Sequence, residues 1–152
     1  MDSTAGQWGW KLTFLGGLMP ALAGTIGLTL AVVSGSSGHS SPWLSMMGEH
    51  PFSADTIAQW NPGFLALWKL VNHLGGVNLM ASGITAAWLS WSGLRAGHDW
   101  VRPILWFLFL WVGGNDVVAL LRFRAETGQG FPFALIALTL GATGLVISGR
   151  GR

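Results

Sequence analysis

The chain has 152 residues, 51% of them hydrophobic and only 9% charged, with a mean hydropathy of +0.50; a water-soluble domain carries about 25% charged residues, so this surface is predicted to face lipid. Eight basic against six acidic side chains leave a net charge of +2 without clustered Lys and Arg, which excludes nucleic acid as a partner. The absence of cysteine excludes thiol redox chemistry, structural disulfides and thiolate-held zinc or iron–sulfur clusters.

In chain order, the first apolar run is Leu12–Ser34, which carries no charge. It is N-terminal, but its apolar length exceeds the 7–15 residues of a signal h-region and Lys11 alone makes a poor n-region, so it reads as a retained span. The connection 35–62 opens as the Gly/Ser segment SGSSGHSSP and then turns amphipathic. Ser53 is a candidate cap of a short surface helix that Asn61-Pro62 would end. His39, Glu49, His50 and Asp55 in this loop match no metal-ligand spacing; they read as a solvated loop, and no metal is expected. The second run, Gly63–Ser92, contains Lys69 and His73. The third, Pro103–Leu121, contains one charge, Asp116, and the fourth, Phe131–Gly149, none.

A spanning helix needs about 20 apolar residues. These runs predict an all-α fold: one integral membrane domain, a four-transmembrane-helix bundle with a long outer loop between helices 1 and 2. Basic residues set its orientation. The 35–62 connection has none, whereas Lys11, Arg95, Arg102, Arg150 and Arg152 gather at the other end, and Arg122 and Arg124 lie on the outer side. Both termini are therefore expected on the cytoplasmic face of a bacterial cytoplasmic (inner) membrane. The ten tryptophans, in a chain without tyrosine, follow the same boundaries. Trp8 and Trp10 precede the first run, and Trp88, Trp91 and Trp100 bracket the inner turn, at the level where an indole is half wet. Trp68, Trp106 and Trp111 sit deeper and read as packing residues or pocket walls. Paired glycines such as Gly16-Gly17 and Gly75-Gly76 read as sites of close helix approach.

Polar residues within the runs define the candidate site. On a step of 100° per residue, Lys69, Asn72, His73, Gly76, Met80, Gly83 and Ala87 fall within about 60° of one line, and Asn78 points to the opposite side. That stripe is expected to face the bundle, because a polar group in hydrocarbon costs several kcal/mol. Asp116 is the natural partner. Counted from the outer ends it lies level with Lys69, about 9 Å deep; counted from the inner turn it lies opposite residues 76–80. Lys69, His73 and Asn78 thus all remain candidate partners. Each residue also has a plainer reading. Lys69 snorkels to the outer interface, His73 is an interhelix hydrogen-bonded staple, and Asp116 belongs to a structural ion pair. The functional alternatives are proton handling by His73 or Asp116 and cofactor ligation by His73, with Trp111 as a wall. A tetrapyrrole needs only one imidazole if it is chlorophyll-like, and Gly75 and Gly76 would admit a flat ring. No GxSxG, HExxH or phosphate-cradling glycine loop is present.

The uncharged first span, Asn61-Pro62 closing the outer loop, and HLGGVNLMASGI (His73–Ile84) before a basic inner turn and two more spans resemble the DoxX-like group of small four-helix membrane proteins. Asn72-His73 stand where that group typically has an acidic residue. The resemblance implies the fold; some members are associated with quinone-linked oxidoreductases. The chain therefore reads first as a non-catalytic integral membrane subunit or accessory protein of a larger complex. Its expected partners are the lipid bilayer and other membrane subunits or further copies of itself. The alternatives are a quinone- or lipid-linked oxidoreductase component using Lys69, His73 and Asp116, and a pigment- or haem-binding subunit acting through His73.

Overall fold

The computed structural model describes residues 4–33, 59, 61–127 and 133–150. Among these the fold is all-helical: α1 (Thr4–Val33), α2 (Pro62–Leu89), α3 (Val101–Phe107), α4 (Gly114–Thr127) and α5 (Phe133–Arg150). A π-helical turn, Ser90–Leu94, extends α2, and a second, Leu108–Gly113, joins α3 to α4 in one continuous rod. The helices outrun the apolar segments that announce them. α1 begins before Leu12, and the third rod runs past Leu121 to include Arg122 and Arg124. Asn61-Pro62 opens a helix: the Asn61 side chain accepts from the Gly63 and Phe64 N–H groups at 2.8 and 3.3 Å, and Pro62 takes the first helical position, where no N–H is needed. Apart from residue 59, the remainder of the 35–62 loop, with Ser53, His39, Glu49, His50 and Asp55, lies outside the described residues.

α1 is the central rod, and it is flanked by small residues on two sides. Gly17 lies against Ala86 and Ala87, Gly83 against Ala21, and Gly24 against Met80 and Gly76, so α2 runs antiparallel to α1. On the other side Gly9 lies against Ser148, Thr13 against Gly144 and Gly16 against Gly141, so α5 is antiparallel to α1 as well. Such contacts bring backbones close enough for dispersion to hold the pair. Hydroxyls in the seam cannot reach water and bond back to their own helix: Thr13 to the Gly9 carbonyl at 2.9 Å, Ser90 to that of Ala86 at 2.7 Å, and Ser148 to that of Leu145 at 2.9 Å. The third rod packs on α5, with the Phe109 ring against Gly141 and Leu138 beside Gly113.

Larger apolar side chains fill the end of the bundle that holds the turn from α2 to α3. Leu94, Val101, Leu105, Phe109 and Leu145 are buried there, with Trp10, Leu89 and Trp106 packed against them. Gly97, at φ 83°, reverses the chain, since a left-handed residue ends a helix at least cost when it has no Cβ. Trp8, Trp88, Trp91 and Trp100 are exposed at this end. Arg95 lies over the Trp91 and Trp10 rings at 4.5 and 5.5 Å, and Lys11 over Trp8 and Trp10.

Arg102 ties the rods together here. Its Nη2 donates to the Ser148 carbonyl at 2.6 Å, near the C-terminal end of α5, where a cation also opposes the helix dipole. Charge-assisted bonds of this kind contribute about 1.5–3 kcal/mol. Arg102→Leu is accordingly expected to lower stability by about that amount, read as a drop in the thermal unfolding midpoint in mild detergent.

A methyl group added at Gly75 or Gly114 would meet no atom within 4 Å. At both, alanine is expected to raise stability by roughly 0.5–1 kcal/mol through helix propensity alone, checked by the same melt.

Candidate functional site

α2 and the third rod meet at the turn end and then diverge, and a cleft of about 690 Å³ opens between them. Its lining is mixed. Asn78, Ser82 and Thr85 contribute from α2, and Trp111, Asn115 and Asp116 from the third rod, with Val71, Leu79 and Val112 as apolar wall. The α2 residues repeat at helical spacing along one face.

The π-helical turn Leu108–Gly113 sits directly before Asn115 and Asp116. One wide turn breaks the regular bonding ladder and turns the residues that follow relative to a regular helix. The Asn115 side-chain amide donates to the Trp111 carbonyl at 2.5 Å, a carbonyl at the site of this irregularity. Trp111 stacks on Phe107 at 6.3 Å with an interplanar angle of 6°, which holds its indole along the rod. Asp116 is half-buried, and among the described residues no cation lies within ion-pair distance of it.

The sequence-predicted site residues separate into two places. Asp116 and Trp111 share the cleft with Asn78, as the register counted from the inner turn expects. His73 is exposed and does not line the cleft. The stripe predicted to face the bundle does so through Gly76, Gly83 and Ala87, which are buried, and Met80, which is half-buried. His73, on the same line, is exposed. The side chains of Lys69 and Asn72 lie outside the described residues. Gly75, beside His73, borders open space, whereas Gly76 packs on Leu28.

Ser82 and Thr85 do not stand out in the sequence, although a signal for them exists. Stepping by three and four from Asn78 passes through Val71, Gly75, Ser82 and Thr85, all of which line the cleft. Isolated serines and threonines in apolar helices bond to their own backbone so often that they draw no attention. Among the described residues no group of three or more His, Asp or Glu is arranged to hold a metal ion.

Two helices are long and apolar enough to cross a membrane, Thr4–Thr29 and Val101–Arg122, and Phe133–Gly149 is a shorter apolar helix. No family model matches the chain, and no curated protein or solved structure matches it.

Proposed function

We propose that the chain is an integral membrane protein of four spans that binds rather than transforms, serving as a non-catalytic accessory component of a larger membrane assembly. The carrying observation is an inverted distribution of side-chain size. Glycine, alanine and serine fill the seams between α1, α2 and α5, while Leu22, Leu74, Ile84, Leu110, Val118, Leu135 and many other large apolar side chains are exposed. Exposed apolar area on that scale is stable where the surroundings are hydrocarbon. If α1 and the third rod cross, α2 and α5 cross with them, because both pack antiparallel along α1. The span order of the DoxX-like group fits the same arrangement. Binding is favoured over catalysis because Asp116 is the one titratable side chain lining the cleft among the described residues, and nucleophilic chemistry needs a base placed beside the nucleophile.

The cysteine-free chain is a ready background for topology. Ala96→Cys and Ser41→Cys are expected to react with a membrane-impermeant maleimide from opposite faces of sealed vesicles. Labelling of both from one face would overturn the four-span reading. Extraction of the protein from its native membrane in mild detergent is expected to retain a protein partner. A lone monomer would overturn the accessory role.

A further inference from the structure

The hydrogen-bond inventory of the cleft is richer in acceptors than in donors. The Ser82 hydroxyl donates to the Leu79 carbonyl at 3.2 Å, the Thr85 hydroxyl to that of Ala81 at 2.8 Å, and the Asn115 amide to that of Trp111 at 2.5 Å. Each group thereby uses a proton on its own helix and keeps oxygen lone pairs. Asp116 adds a carboxylate, which when ionised only accepts. Donors remain on the Asn78 amide, on the second Asn115 N–H and on the Trp111 indole, fewer than the acceptor lone pairs that Asn78, Ser82, Thr85, Asn115 and Asp116 present. An occupant that carries acceptors would leave most of this lining unmatched, and an occupant that carries donors would meet it.

Charge and aromatic character point the same way. No cation among the described residues lies within ion-pair distance of Asp116, and the Trp111 indole lines the same cleft. An indole face attracts a cation within about 6 Å, and a carboxylate in a poorly solvated setting does so more strongly. The walls are apolar, and the volume of about 690 Å³ suits a small molecule rather than a bare ion, sites for which span about 300–1,000 Å³. We infer that the cleft between α2 and the third rod binds a lipophilic organic cation, an ammonium bearing N–H donors and an apolar or aromatic tail. The ammonium pairs with Asp116 and donates a further N–H to one of the Ser82, Thr85 and Asn115 oxygens, while the tail lies along Val71, Leu79 and Trp111. This assignment rests on the four-span reading, since the tail would reach the cleft from the hydrocarbon.

The test uses the full chain in phosphatidylcholine nanodiscs, with empty nanodiscs to subtract partitioning into lipid. Benzyldecylammonium is compared with benzyl decyl ether, which has the same shape and neither charge nor N–H, by equilibrium dialysis. The wild-type protein is expected to hold the ammonium at least tenfold more tightly than the ether. Asp116→Asn is expected to abolish that preference while leaving the ether unchanged, and Trp111→Leu, at an exposed position, to weaken the ammonium several-fold. Equal affinity of the wild type for the two probes would overturn the assignment, as would a preference that survives Asp116→Asn. Either result would leave the four-span reading standing. A chain that cannot be incorporated into nanodiscs would overturn both.

Discussion

Gly83→Leu is expected to abolish the folded bundle, and even Gly83→Ala to destabilise it measurably. A Cβ at this position would meet the backbone N and Cα of Ala21 and the Gly17 carbonyl oxygen. These are atoms of another helix's main chain, and no rotamer change moves them aside. The two rods must separate, and dispersion falls steeply with separation. Overpacking of this kind costs about 1–3 kcal/mol for a small group and more for a branched one. On the four-span reading the loss is not recovered, because in lipid no hydrophobic force draws the helices back together. Gly144→Ala should behave alike, since its Cβ would meet the Thr13 hydroxyl and backbone. The measurement is the thermal unfolding midpoint in mild detergent, with the size-exclusion profile. A Gly83→Leu protein that melts with the wild type would show that α1 and α2 do not share this seam.

How much of this was legible in the sequence depends on which force sets each feature. Helix positions were legible, because apolar runs of spanning length leave the backbone no other way to satisfy its hydrogen bonds in lipid. The ends were less so: α1 and the third rod continue through Trp8, Trp10 and Arg122, where water tolerates a helix as readily as a loop. The face of α2 that packs on α1 was legible from a regular 100° step, as Gly76, Gly83 and Ala87 bear out. His73 lies on the same line yet stays exposed, since periodicity gives direction and says nothing of how closely a neighbour packs at each level. Asp116 was visible as an acid in an apolar run, but its level was not. Counting from the two ends gave different partners, and the π-helical turn Leu108–Gly113 carries no sequence signal that a regular step could register. Trp111 reads in the sequence as a packing residue or a pocket wall, and it lines the cleft. Ser82 and Thr85 were silent because each bonds to its own helix.

Asp116→Leu separates a functional acid from a structural one. An aspartate at the centre of a spanning helix raises its insertion free energy by about 2.5–3.5 kcal/mol, and a leucine lowers it by about 0.3–0.6. If the carboxyl were held in an ion pair, its loss would strand a buried cation, and the variant would be less stable by about 3–5 kcal/mol. Among the described residues no such cation is present, and the other polar residues lining the cleft include Asn78, Ser82, Thr85 and Asn115. Ser82, Thr85 and Asn115 satisfy much of their own hydrogen bonding on their own helices, so none of these three depends on the carboxyl. The expected result is therefore a variant that inserts more efficiently than the wild type, by up to about 4 kcal/mol on the insertion scale, and unfolds at a temperature no lower. Glycosylation-mapped insertion of the third span and the thermal midpoint of the purified protein read the two quantities separately. A fall in the midpoint would assign Asp116 to the framework. A rise, in a chain that nevertheless retains the aspartate, means that the residue is kept at a cost to stability, and the cleft it lines is what that cost sustains.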